Sequence, residues 1–318
     1  MMASDLFDCV IADQPTYLVP ARLLARVLTN DVPANLVVNP HCWFSWNGDA
    51  PVHMAAHLPL PACFRSDMDM LWVRDPVARW VRPFWIGPRF RDAISSLEPG
   101  QPVSELPRGV VSRLLRAGVL VNPKREDTRR SRWASKRSHW SRQFRSIGYV
   151  PATGLLHPYH IGSLRRYYRR LLRTGGMKLG DSGSPLRYIA HNEPIAVFYH
   201  RQLTSFVSDI AGIPVKRSYV YVASYQGGAE LPEHTDRIQC EYSLTLLIDH
   251  SPETSGESPW PLYLNTPQGQ IPVYQSIGDA LVYRGRRIPH YRTRLPDAMT
   301  STSIFFHYVD ADFTGPLD

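Results

Sequence analysis

Two histidines and one aspartate carry the strongest chemical signal in the chain. In His234-Thr235-Asp236 the outer residues are two positions apart, so on a strand their side chains leave from the same face. His290 lies far downstream, in a second strand-like run bounded by turn residues. In an eight-stranded jelly roll the second and seventh strands can be neighbours, which would bring His290 beside the pair. Two imidazoles and one carboxylate on one side of a metal leave the opposite positions open, the donor set suited to Fe(II) and oxygen chemistry. His234, Asp236 and His290 are therefore the expected metal ligands and catalytic centre.

The bare H-x-[DE] pattern is weak, because a chain with 12 histidines meets it roughly once by chance. It recurs at His191-Asn192-Glu193, but ahead of Pro194, where a helix start would make the two side chains diverge. His157-Pro158-Tyr159-His160 has no cysteine or carboxylate pair to complete a zinc site and reads as a loop or helix start. Gly227-Gly228 lacks the Lys and following helix of a phosphate loop and reads as a turn.

The surroundings of the first match set it apart. Tyr225, Gly227 and Gly228 precede Leu231-Pro232-Glu233-His234-Thr235-Asp236, and an apolar strand from Tyr242 to Asp249 follows. Gly278-Asp279 then leads into Ala280-Leu281-Val282-Tyr283 ahead of Pro289-His290. Together these segments resemble the Fe(II)- and 2-oxoglutarate-dependent dioxygenase superfamily, in particular its prolyl 4-hydroxylase-like branch, over roughly Val215 to Val309. The resemblance implies Fe(II) held by His234, Asp236 and His290, with 2-oxoglutarate and O2 as cosubstrates. It also implies that Tyr225 donates a hydrogen bond to a cosubstrate carboxylate. Asp236 fills the carboxylate position, so a halogenating variant is not expected.

The chain departs from that pattern at one point. The family usually places Arg or Lys some way after the distal histidine, to pair with the far carboxylate of 2-oxoglutarate; this chain has Thr300-Ser301-Thr302-Ser303 there. The hydroxyls of Thr300 and Ser303 can accompany such an anchor but cannot supply its charge. Arg292 and Arg294 fall two and four residues past His290, on its own face if the strand is regular. A guanidinium grips a carboxylate bidentately, so either could be the anchor, and Arg292 is first choice as the nearer.

These residues need a scaffold. After an amphipathic helix that begins at Asn192-Glu193-Pro194 and closes at Gly212, the apolar period changes from helical to alternating. Eight strand-like runs follow, at 215–225, 230–237, 241–249, 261–264, 271–274, 279–284, 288–294 and 301–309. Consecutive short strands without an intervening helix predict a closed or two-sheet β architecture. The expected fold class is α+β: a double-stranded β-helix (jelly-roll) oxygenase core over 151–318, preceded by a mainly helical region 1–123.

Within that region, residues 71–123 are the more regular. Phe84-Trp85-Ile86 reads as a strand, Phe90, Ile94 and Leu97 as a helix, a second helix starts from Val103, and Val119-Leu120-Val121 starts a wing. The series resembles a winged-helix module of the leader-peptide-binding, PqqD-like type. Residues 124–150 read as a basic linker with interleaved Trp133, Trp140 and Phe144.

Length and composition bound the rest. The 318 residues, 43% hydrophobic and 20% charged, are those of a globular chain with room for a sizeable core. No apolar run approaches the ~18 residues that cross a bilayer. The N-terminus lacks a secretory pattern, so a cytoplasmic location is expected. The four scattered cysteines form neither a disulfide framework nor a zinc knuckle.

The expected activity is hydroxylation of an unactivated C–H bond of an amino-acid side chain, within a peptide or a biosynthetic intermediate. The expected mouth is lined by Tyr219, Tyr221, Tyr291 and Arg292. A leader peptide docking on the N-terminal region is a further expectation; neither a membrane nor a nucleic acid is an expected partner. Two alternatives stand beside it. An AlkB-like nucleic-acid demethylase is motivated by the basic 124–145 stretch, though no Arg follows Arg294. The other is a non-catalytic basic winged-helix binding protein, which the intact triad argues against.

Overall fold

The computed structural model describes residues 6–11, 16–27, 32–46, 63–64, 68–75, 77–103 and 105–318. The first five residues, which carry much of the localisation expectation, lie outside the described residues. The chain divides into two compact units, one of Met1–Lys136 with His157–Ser163, the other of Arg137–Leu156 with Leu164–Asp318.

The first unit holds helix α1 (Ala21–Val27), strands β1 (Val37–Val38), β2 (Cys42–Ser45), β3 (Met70–Arg74) and β4 (Val81–Trp85), helices α2 (Pro88–Ile94) and α3 (Arg108–Ala117), and strand β5 (Leu120–Val121). Strands β2, β3 and β4 form an antiparallel sheet around buried Leu71, Trp72, Phe84 and Trp85. The helix expected from Val103 begins only at Arg108, because Pro107 biases its predecessor away from helical backbone. It ends on Gly118, whose left-handed φ of 79° suits a residue without a Cβ. The strand expected to start a wing, β5, pairs with β1 from the upstream stretch where no element was expected. His157 and His160 are buried, each facing a backbone carbonyl, of Arg116 and Pro83 respectively, as structural histidines do.

The 124–150 stretch is helical over most of its length. Pro123–Ile147 is one helix, α4, followed by strand β6 (Tyr149–Thr153). Asn122 Oδ1 accepts from the Arg125 amide, Pro123 fits a first turn, and Glu126 pairs with Arg129 one turn on. Lys, Arg, Ala and Gln all favour helix, so the charge that suggested a linker belongs to a solvated helix face. Trp140 and Phe144 are its buried anchors.

The second unit continues with helix α5 (Pro158–Arg173), whose first turn belongs to the first unit, strands β7 (Lys178–Leu179) and β8 (Arg187–His191), and helix α6 (Pro194–Ala211). Glu193 caps α6 by accepting from the Ile195 and Ala196 amides, and also takes the hydroxyls of Tyr167 and Tyr168. With Glu193 committed there and His191 exposed, the second H-x-E match forms no cluster, as its position predicted.

Eight strands follow: β9 (Val215–Tyr225), β10 (Leu231–His234), β11 (Tyr242–Ser251), β12 (Leu262–Thr266), β13 (Gly269–Val273), β14 (Asp279–Tyr283), β15 (His290–Arg292) and β16 (Thr300–Asp310). They make two antiparallel sheets. The larger runs β6-β14-β11-β16-β9-β8-β7 and the smaller β10-β15-β12-β13. Within the eight, the order is sixth-third-eighth-first in one sheet and second-seventh-fourth-fifth in the other, which is the strand order of a jelly roll. Leu262, Leu264 and Val273 of the small sheet pack with Leu281 and Tyr283 of the large one, so apolar faces close on each other. Helix α6 covers the outer face of β9 and β16, where His200 packs on Phe306 and Tyr308.

Candidate metal and cosubstrate site

Strands β10 and β15 are neighbours in the small sheet, and His234 is the register partner of His290. The two ring centroids lie 4.4 Å apart. Asp236, just past the end of β10, brings Oδ1 to 3.8 Å from His234 Nε2 and 3.6 Å from His290 Nε2. One donor atom from each residue lies within 4.8 Å of the others, so all three can face a single ion.

Backbone geometry fixes which ring nitrogens face inward. His234 Nδ1 lies 2.9 Å from Pro232 O, and His290 Nδ1 lies 2.9 Å from Ile288 O. A carbonyl only accepts, so each Nδ1 carries the proton and each Nε2 keeps a free lone pair toward Asp236. Burial pushes His290 below the ordinary histidine range, with the Asp236 carboxylate pulling the other way.

The carboxylate is held in turn. Ser243 Oγ donates to Asp236 Oδ2 at 2.6 Å, the Asp236 amide donates to Gly285 O, and Ser243 accepts from His307 Nδ1 at 3.0 Å. His307, register partner of Ser243, is buried and pushed down to about 4 by desolvation, so it is a neutral donor. Gly285 is required by space alone. A Cβ there would stand 2.1 Å from Asp236 Oδ2 and 2.5 Å from Ser243 Oγ. Tyr283 closes the site from β14, its hydroxyl 3.4 Å from His290 Nε2.

The candidate cosubstrate residues separate. Arg292 shares the buried face of β15 with His290; its Nη1 donates to Trp260 O at 2.8 Å and its guanidinium stacks 4.5 Å from the Trp260 ring centroid. Its Nε is buried with no partner, and no acid pairs with it among the described residues. Tyr225, Tyr283 and Tyr221 are the groups whose fields act on it. Tyr225 is buried against Trp260, ring centroids 5.0 Å apart, and accepts from Arg187 Nη1 at 2.9 Å. Arg294, by contrast, is exposed and bound to Asp297 at 2.6 Å, so it does not join the group. Past Arg292 the strand ends, and the regular alternation that would have kept Arg294 inward ends with it.

On β16, Ser301 is opposite Tyr225 and Ser303 opposite Ala223, on the inner face with Phe305. Thr300 falls on the opposite face by alternation, so of the two hydroxyl candidates only Ser303 lies on the site's side. Tyr291 likewise turns outward, stacking on Tyr263 and taking a hydrogen bond from Gln270, so it does not line the mouth. Tyr219 and Tyr221 do line it. They border an open cleft of about 530 Å³ that also touches His191, Arg187, His234, Asp236 and Arg237.

Reading the sequence alone misses Arg187, Ser243, His307, Tyr283 and Gly285. Arg187 lies on β8, too short an alternation to mark a strand, and the others look like ordinary strand and turn residues.

No family model matches the chain, and no curated protein matches it. Solved structures similar to it include AviO1 from Streptomyces viridochromogenes Tue57, 20% identical, with 57% of this chain covering 97% of that one at a TM-score of 0.47. A Pseudomonas putida prolyl-4-hydroxylase is 15% identical, with coverages of 54% and 98% and a TM-score of 0.45. HygX from Streptomyces hygroscopicus, solved with nickel and 2-oxoglutarate bound, is 13% identical, with coverages of 55% and 88% and a TM-score of 0.45. Among the described residues no helix is long and apolar enough to cross a membrane.

Proposed function

We propose that the chain is an Fe(II)- and 2-oxoglutarate-dependent oxygenase that hydroxylates an unactivated C–H bond of an amino-acid side chain, in a peptide or a biosynthetic intermediate. The observation that carries this reading is the convergence of two unprotonated Nε2 atoms and one carboxylate beside a buried guanidinium that has no acid partner among the described residues. The donor set suits Fe(II), and a lone buried cation with a bare N–H suits a dicarboxylate.

His234, Asp236 and His290 would hold the metal, and Arg292 with Tyr225 would hold the far carboxylate of 2-oxoglutarate. Bound together, iron and 2-oxoglutarate supply the oxidising chemistry that couples O2 to decarboxylation and C–H hydroxylation. The protein's own part is orientation and exclusion. The Pro232 and Ile288 carbonyls keep both imidazoles in the metal-binding tautomer. Ser243 engages Asp236 Oδ2 and so leaves Oδ1 as the oxygen directed at the histidines. Leu264, Leu281 and Ile288 keep water from the rear of the site, while Tyr219 and Tyr221 border the cleft by which a side chain would enter.

Anaerobic addition of Fe(II) and 2-oxoglutarate is expected to give a weak visible charge-transfer band, and amino acids and short peptides are then screened for substrate-dependent succinate release. A chain that produces no band, or one whose Asp236→Ala variant keeps it, is not this enzyme.

A further inference from the structure

We propose that Arg187 is a positioning residue for the cosubstrate: it fixes the Tyr225 hydroxyl so that the phenol's single proton is aimed at the carboxylate held beside Arg292. The inference rests on the reading of 2-oxoglutarate at this site.

A guanidinium only donates, so in the 2.9 Å contact between Arg187 Nη1 and Tyr225 Oη the phenol oxygen is the acceptor. Its own proton is then free to point elsewhere. The ring cannot swing to follow Arg187, because it is buried against Trp260.

Arg187 itself is locked. Its Nε reaches both oxygens of Asp181 at 3.0 Å, and Nη2 reaches Oδ2 at 2.7 Å. Asp181 is saturated by the Gly183 and Ser184 amides, each at 2.9 Å. The two guanidiniums near Tyr225 therefore differ in kind. Arg187 is matched by a carboxylate and has no charge to offer a ligand, so it acts through the phenol. Arg292 has no acid partner among the described residues and supplies the charge. A Cβ on Gly183 would stand 2.6 Å from Arg187 Nη2, so the turn that holds Asp181 also needs a glycine to admit the fork.

The test uses the full chain loaded with Mn(II) without oxygen, with 2-oxoglutarate titrated calorimetrically and Mn(II) affinity measured separately. Arg187→Met is expected to weaken 2-oxoglutarate about ten-fold, as loss of one charge-assisted hydrogen bond does, and to leave Mn(II) affinity unchanged. Tyr225→Phe should weaken it to a similar degree. The double variant should bind no more weakly than Tyr225→Phe alone, because the two residues act as one unit. Gly183→Ala, which removes no polar group, should reproduce the Arg187→Met effect in milder form and serves if that variant does not fold. Multiplying losses in the double variant, or unchanged 2-oxoglutarate affinity in both Arg187→Met and Gly183→Ala, would overturn the role. Wild-type protein that binds no Mn(II) or no 2-oxoglutarate would instead remove the functional reading, and this inference with it.

Discussion

His234 and His290 face each other as register partners across two adjacent strands, yet they are held alike, each with Nδ1 against the carbonyl two residues before it. That repeated local geometry gives both rings the same tautomer, with Nδ1 protonated and Nε2 not. Replacing either histidine by alanine is therefore expected to abolish the Fe(II)–2-oxoglutarate band without unfolding the sheet. Far-UV circular dichroism and the visible band, recorded on the same sample, separate the two effects. A retained band in His290→Ala would remove that residue from the metal site.

Gly285 offers a sharper probe because it contributes no ligand. A Cβ at this position collides with the Asp236 carboxylate and the Ser243 hydroxyl, and a loosened metal-ligand contact of this kind costs about 10–100-fold in metal affinity. Gly285→Ala should show that loss by metal titration. Gly256→Ala, where an added Cβ meets nothing within 4 Å, should not. Equal affinities in the two variants would mean that Asp236 does not need its present position.

Arg292 and Arg294 differ in burial and partner, and they should differ in function. Arg292→Met is expected to raise the 2-oxoglutarate dissociation constant by about 100-fold or more, the scale of a lost charge-assisted pair, while Arg294→Ala leaves it unchanged. Folding stability should not fall in Arg292→Met, because an apolar side chain replaces a buried cation that has no acid partner among the described residues. The opposite ranking in a calorimetric titration would transfer the anchor to Arg294.

The eight strands were legible because the half-buried ones alternate and their ends carry Gly, Pro, Asp or Asn. His234-Thr235-Asp236 was legible because its spacing repeats the strand period. What was not legible is instructive. Arg187 lies on a five-residue strand between β9 and the two-residue β7, and nothing in Arg187-Tyr188-Ile189-Ala190-His191 announces a partner nearly forty residues on. Ser243 and His307 meet only because β11 and β16 pair in one register, which single-strand periodicity cannot encode. The helix at 123–147 was hidden by its own charge. Its apolar face narrows to Trp140 and Phe144, so the helical period scarcely rises above the basic background.

Acid stability gives a test of the core behind the site, where α6 packs on β16. His200 is buried between α6 and β16, with Nε2 2.9 Å from His307 O, and desolvation pushes it down to about 3. Arg217 and His307 are the other titratable groups acting on it, and both oppose its protonation. In the unfolded chain the same ring titrates near the ordinary 6.5. Between these values the unfolded state binds the extra proton, so the stability His200 contributes is complete above about pH 6.5 and is lost as pH falls toward 3. One such group gives a slope of about 1.4 kcal/mol per pH unit inside that window. His200→Gln, which keeps a donor for the His307 carbonyl but does not titrate, should cost a fixed amount above pH 7. Relative to wild type it should then recover by about that slope as pH is lowered from 6 to 4. Urea unfolding at several pH values reads the difference directly. A difference that stays constant from pH 7 to pH 4 would show that His200 protonates as readily in the folded protein as in the unfolded chain, and that the packing of α6 on the sheet does not exclude charge.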